Sequence, residues 1–177
     1  YNPLDREAIH LKGVILYRLG LYNDALVSFD QALALDPGRS EVWYDKGVTL
    51  YLARRYRDCV ESFDRALSLD PENDHAWYNR GVALERRGSL AKALESYDRA
   101  IALCTGKEHV WYHRGLTLQR MGRKDEAIES LHRCLAINPH HEKARDALEE
   151  MGARGVDGAK GERKVVGRVK MGTRETK

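Results

Sequence analysis

Three histidines stand where an imidazole cluster could form. His109 and His113 lie four residues apart, the spacing of one helix face, and His75 precedes His109 by one 34-residue interval. Imidazoles are donors for zinc, but a site needs further nitrogen, thiolate or carboxylate ligands. No carboxylate or thiolate is spaced to complete this one, so no metal is expected. The three cysteines, Cys59, Cys104 and Cys134, are odd in number and lack CxxC spacing, which indicates neither a zinc knuckle nor a disulfide framework. Catalytic signatures are missing too. There is no Gly-rich phosphate loop after a strand pattern, no nucleophile spaced to a base and no pair of inward carboxylates, so neither enzymatic activity nor a cofactor is expected.

The elements that carry these residues repeat. Trp43, Trp77 and Trp111 are 34 residues apart, and Gly13, Gly47, Gly81 and Gly115 keep the same interval. All four prolines, Pro3, Pro37, Pro71 and Pro139, fall in register, with Thr105 in the vacant slot. Self-similarity at this period marks a stacked-repeat architecture. Within the first unit, two helical patterns over about residues 7–19 and 23–35 are joined by a short break, which predicts an antiparallel helical hairpin. The second helix carries small and aromatic residues at core spacing: Ala25, Phe29 and Ala32, then Cys59, Phe63 and Ala66, then Ala93, Tyr97 and Ala100, then Ala127, Leu131 and Cys134. Small residues let backbones approach while the ring fills the space between hairpins. Cys59 and Cys134 occupy small-residue slots, and a free cysteine packs as a small hydrophobe.

These residues resemble the tetratricopeptide repeat pattern, W-x2-L-G-x2-Y…A-x3-F…P, present as Trp43…Gly47…Cys59…Phe63…Pro71 and in three sister copies over residues 6–141. The resemblance implies an all-α, right-handed superhelical solenoid of helix-turn-helix hairpins: repeats at 6–39, 40–73, 74–107 and 108–141, then a capping helix at 142–151. Two slots depart from the pattern. Its Tyr is Leu16, Leu50, Leu84 and Leu118, and its Leu is Lys12, Lys46, Arg80 and Arg114. A cation beside a core must reach water or find a partner. The residue after each core aromatic is acidic in units one to three, which predicts ion pairs between successive units: Asp30–Lys46, Asp64–Arg80 and Asp98–Arg114. The fourth unit has His132 there and no follower to pair with.

At 177 residues, 42% hydrophobic and 32% charged, the chain has material for a sizeable core and no apolar run long enough to span a bilayer. No signal-peptide pattern opens it, and a cytoplasmic location is the default expectation. Residues 1–5 read as the last turn of a preceding repeat, as in a segment of a longer array. Residues 152–177 hold eight Lys/Arg against three acids, six glycines and no aromatics, a basic flexible tail that leaves the rest of the chain slightly acidic. Nucleic-acid association is therefore expected only through that tail, because phosphate binding follows clustered positive charge.

By the same resemblance, the first helices line a concave groove. Its slots hold His10, Tyr44, Tyr78 and Tyr112; Leu11, Asp45, Asn79 and His113; and Val14, Val48, Val82 and Leu116. One turn on come Tyr17, Tyr51, Glu85 and Gln119, beside Arg18, Leu52, Arg86 and Arg120; His109 lies nearby. Tyrosines over aliphatics, bordered by arginines, suit a peptide with apolar anchors and an acidic group. The family's carboxylate clamp of Lys, Asn, Asn, Lys and Arg is absent: its slots hold His10, Val14, Asp45, His75 and Asn79, or Tyr44, Val48, Asn79, His109 and His113. The asparagine ladder of O-linked glycosyltransferases would need Asn where Asp45, Asn79 and His113 stand. The functional expectation is a protein-protein interaction scaffold with a protein or peptide ligand. The alternative is a substrate-recognition or regulatory region of a larger enzyme. The oligomeric state is not encoded in any motif.

Overall fold

The computed structural model describes residues 3–152, with side chains from residue 6 onward. The basic tail expected over 152–177 lies outside the described residues, apart from Gly152. Nine helices follow one another among the described residues: α1 (Pro3–Arg18), α2 (Tyr22–Leu35), α3 (Ser40–Leu52), α4 (Tyr56–Leu69), α5 (Asp74–Arg86), α6 (Leu90–Leu103), α7 (Glu108–Arg120), α8 (Lys124–Ile137) and α9 (Glu142–Glu150). They pair as four hairpins, α1/α2, α3/α4, α5/α6 and α7/α8. Each second helix packs on the first helix of the next hairpin, and α8 packs on α9. Residues 3–5, expected as the end of a preceding repeat, instead form the opening of α1, which has 16 residues where α3, α5 and α7 have 13. Proline tolerates a first helical turn because its missing N–H has no partner there.

Every first helix stops in the same way. A residue with positive φ, Gly20, Arg54, Gly88 or Gly122, turns the chain. Its N–H and that of the next residue return to the last turn: Gly88 to Glu85 O at 3.0 Å and Ser89 to Leu84 O at 2.9 Å in unit three. This paired return satisfies carbonyls that the helix end leaves free. Unit two departs by placing Arg54 at φ 59°, a conformation that favours glycine.

Within each hairpin, the repeated glycine of the first helix lies under the ring or branched side chain sixteen residues later. A Cβ at Gly47 would sit 2.7 Å from Phe63 Cε1, one at Gly81 2.5 Å from Tyr97 Cε1, and one at Gly115 2.9 Å from Leu131 Cγ. The helices approach this closely only because no Cβ intervenes. The small-aromatic-small triplets of the second helices are all buried, Cys59 and Cys134 included. Burial pushes the Cys59 thiol up to about 12 and the Cys134 thiol up to about 11, as suits packing groups.

Between hairpins, the tryptophans latch each first helix to the loop before it. The indole N–H of Trp43 donates to Pro37 O at 2.9 Å, that of Trp77 to Pro71 O at 2.9 Å, and that of Trp111 to Thr105 O at 3.0 Å. Arg145 of α9 makes the same bond to Pro139 O at 2.8 Å. Ala144 is buried where Val42, Ala76 and Val110 are buried in the earlier units. The capping helix is thus docked as the first helix of a fifth hairpin, with its charged face outward. At the other end, Ile15 is 58% exposed, whereas its counterparts Thr49, Ala83 and Thr117 are fully buried by the preceding hairpin.

The glycine contact predicts an asymmetric cost. Gly47→Ala forces the Phe63 ring off the helix and should lower unfolding free energy by about 1–3 kcal/mol, whereas Gly106→Ala, with nothing within 4 Å, should not. Urea unfolding followed by circular dichroism measures both, and equal midpoints for the two variants would refute the contact's role.

Candidate functional site

Each first helix also touches the next first helix, α1 to α3, α3 to α5 and α5 to α7, whereas each second helix packs mainly on the first helix of its own hairpin and on that of the next. The array therefore closes toward α1, α3, α5 and α7, and these form its inner wall. The aromatic slots make one row on that wall, because each ring leans on the core residue of its own hairpin. His10 lies 5.9 Å from Phe29, Tyr44 5.9 Å from Phe63 and Tyr78 6.1 Å from Tyr97. Tyr112 faces forward to His141 at 4.8 Å. Tyr44, Tyr78 and Tyr112 are half-buried, as are Val48, Val82 and Leu116 beside them. Burial lifts the Tyr78 phenol to about 12, so it stays neutral in any ordinary buffer.

The polar slots bond to one another across units, at a spacing of 35 residues. His10 Nε2 lies 2.8 Å from Asp45 Oδ2, and Asn79 Nδ2 donates to Tyr44 Oη at 2.9 Å. One turn along, Arg86 Nε donates to Tyr51 Oη at 3.2 Å and Arg120 Nη1 to Glu85 Oε1 at 2.8 Å. The next rung, from Tyr78 to His113, is a ring contact at 5.6 Å. Tyr17 instead packs on Tyr22 of its own hairpin, at 6.4 Å. Asp45, Asn79, Arg86 and Arg120, expected on the inner wall as ligand contacts, are thus each partly engaged inside the protein.

On the side away from the wall, Lys46 Nζ lies 2.6 Å from Asp30, Arg80 Nε 2.6 Å from Asp64 and Arg114 Nε 2.7 Å from Asp98. Each cation also sits over the tryptophan of its own helix, at 5.0, 5.7 and 5.9 Å from the ring centroid. The arginines reach further than the lysine. Arg80 Nη1 donates to Ser96 Oγ at 2.7 Å and Arg114 Nη1 to Ser130 Oγ at 2.6 Å, so one guanidinium ties three helices together. Those serines are buried, and each also donates to the carbonyl four residues back, at 2.9 and 2.8 Å. Serine recurs at this slot in every unit, as Ser28, Ser62, Ser96 and Ser130 at the same 34-residue interval, so the signal was in the sequence although sequence reasoning passed over it. With acids about half exposed, each pair contributes at most about 1 kcal/mol.

Glu85, placed by its repeat slot on the inner wall, has a bonding role that the sequence reading did not assign. It occupies the slot that is Tyr17, Tyr51 and Gln119 in the other units, and it is the acid at the centre of the unit-three wall. Its carboxylate accepts from the hydroxyl of fully buried Tyr97 at 3.0 Å and from Arg120, with His113 Nδ1 at 3.6 Å. Unit three is also the one whose core ring carries a hydroxyl, since Phe29, Phe63 and Leu131 fill that slot elsewhere. The joint departure of 85 and 97 from the repeat was the available signal. Burial works to raise the Glu85 carboxyl, but His113, the Tyr97 hydroxyl and Arg120 outweigh it and hold the group below the usual carboxylate range. Burial lowers the His109 imidazole below its usual range, and its ring meets Tyr78 edge-on at 4.7 Å. His75 is drawn off to Lys107, with Nε2 3.1 Å from Nζ, and Lys107 also pairs with Asp74. His75, His109 and His113 therefore do not converge, and no group of three metal-ligating side chains gathers among the described residues.

This arrangement of hairpins and inner wall defines a class of protein. Tetratricopeptide repeat models match residues 6–39, 53–108 and 110–141, and the chain belongs to the tetratricopeptide repeat family, whose hairpin arrays serve as protein-interaction scaffolds. Among solved structures, two of MamA are similar: one at 28% identity and TM-score 0.76, covering 80% of this chain and 85% of that one, the other at 27% and 0.79, covering 85% of each. YrrB, described as a TPR protein with an unusual peptide-binding site, shares the fold at 22% identity and TM-score 0.76, covering 81% of this chain and 74% of that one. No curated relative matches. No helix among the described residues is long and apolar enough to cross a membrane.

The Glu85 site predicts a pH-dependent loss. An acid with a depressed pKa adds stability wherever it is ionised, and that stability disappears as pH falls through its folded-state value. Glu85→Gln should thus be less stable than wild type at pH 7, with the gap closing below the carboxylate range. Thermal unfolding of both from pH 7 to pH 3 is the check, and a gap that holds constant would contradict it.

Proposed function

We propose that this protein is an interaction scaffold that docks a peptide segment of a partner protein along its inner wall. The observation that carries the reading is the continuous row of half-buried tyrosines, Tyr44, Tyr78 and Tyr112, above the aliphatic row Val48, Val82 and Leu116. Partly exposed apolar side chains in a connected strip are costly to leave in water and mark contact surfaces. Tyrosine adds large contact area with little rotamer freedom to lose. The inter-unit bonds at Asp45, Asn79, Arg86 and Arg120 hold that wall rigid before a ligand arrives, which reduces the ordering cost of binding. The bound segment would meet Tyr17, Tyr51, His109 and His113 at the margins of the two rows. The description of YrrB as a peptide-binding TPR protein supports the reading as well.

The test needs no substitution. Dodecapeptides selected on the full chain from a random library are titrated into methyl-labelled protein. Val48, Val82 and Leu116 should shift, while Val27, Leu103 and Ile137, exposed on the second helices, should not. Shifts confined to Val27, Leu103 and Ile137 would move the site off the inner wall.

A further inference from the structure

An apolar notch opens on the inner wall between α3 and α5, formed by Val48, Tyr51, Asn79 and Val82 over the buried ring of Phe63. Around it the charges are unevenly spent. Asp45 is taken by His10, Asp74 by Lys107, and Glu85 by Arg120 and Tyr97. Arg86, at the rim of this notch, is not spent in this way. Its one bond is from Nε to the Tyr51 hydroxyl, no carboxylate lies within ion-pair distance among the described residues, and the side chain is exposed. Tyr51 is therefore both a wall of the notch and the anchor that holds the Arg86 guanidinium at its rim. The two terminal nitrogens are left to face a ligand, in the fork geometry that binds a carboxylate through two parallel bonds.

From this, and resting on the groove reading above, we infer the partner's chemistry: a peptide segment of another protein that seats an aliphatic side chain in the notch and sets an Asp or Glu carboxylate on Arg86. The geometry favours a short separation between the two, because anchor and arginine share Tyr51. A compact apolar notch suits a Val, Ile or Leu side chain, whose burial supplies affinity. A carboxylate on a single anchored guanidinium supplies selection, since a wrong charge there would leave a cation desolvated without a partner. The chain's own tail is a poor occupant. Its eight basic residues against three acids would put like charge against Arg86.

The experiment takes dodecapeptides selected by phage display on the full chain and measures their affinity by fluorescence polarisation. Wild type and Arg86→Gln are compared, each against the selected peptide and its acid-to-amide counterpart. Arg86 is exposed, and circular dichroism confirms the fold of the variant. The inference predicts that selected sequences pair an aliphatic residue with a nearby acid. Either change alone should weaken binding about tenfold, the two losses should not add, and the tenfold difference should shrink at high salt. Binding that maps to the inner wall yet is indifferent to both changes, or losses that add, would overturn the acidic-aliphatic assignment and leave the groove reading intact. Selection of no wall-binding peptide would overturn both. Self-association abolished by Arg86→Gln would assign the site to a second copy, and so overturn a foreign partner.

Discussion

The structure depends first on a missing atom. At residues 13, 47, 81 and 115 the first helix of each hairpin has no Cβ, and the side chain sixteen residues on lies against bare backbone. This contact sets the thickness of a hairpin. Four hairpins of one thickness offer the next unit the same surface each time, so the same few bonds can recur at every junction: indole to loop carbonyl, cation to the preceding acid, and inner-wall rungs 35 residues apart. A solenoid has no central core to average over irregular parts, and each unit is stable only through itself and its neighbours. Uniform hairpins are therefore a condition for any continuous wall.

Against that regularity, the departures carry what is individual to this protein. Replacing the ring of unit three by tyrosine puts a hydroxyl at the base of the wall, and replacing the neighbouring tyrosine slot by Glu85 supplies its acceptor. Arg120 and His113 of the next unit then gather on the same carboxylate. One junction back, Arg86 is held by Tyr51 and pairs with no acid among the described residues. The wall thus changes along its length, from an apolar notch at α3 and α5 to an aromatic and imidazole surface at α7. A uniform array would bind any apolar strip, and these local changes are what would let it choose.

Much of the fold is legible in the sequence because a period of 34 in tryptophan, glycine and proline leaves few other architectures. The small-aromatic triplets identify the buried face without reference to coordinates. The role of tryptophan is less legible. Arg145 replaces it in α9 with the same bond to Pro139, an equivalence that residue type conceals and register reveals. Residues 3–5 read as the tail of a missing repeat because proline closes the other units, yet proline also opens helices, and here it does. The candidate site is legible to a lesser degree. Repeat register shows which side chains share the inner wall, but not which of them already bond to each other. Asp45, Asn79 and Arg120 look like free recognition groups in a sequence, and only side-chain reach across a junction, His10 to Asp45 or Glu85 to Arg120, shows them engaged. The 35-residue offset of those partners was readable in principle, as one repeat plus one residue.

The central claim is that successive hairpins repeat one geometry, so that equivalent residues form parallel rows. Pulsed electron resonance between spin labels tests it most directly, with label pairs at 31 and 65, 65 and 99, and 99 and 133, all exposed and one period apart on the second helices. Cys104 would be replaced by serine, and the buried Cys59 and Cys134 left in place. The account predicts the same narrow distance for all three pairs. Three different distances, or broad distributions, would mean that the units do not nest alike and that no continuous inner wall exists.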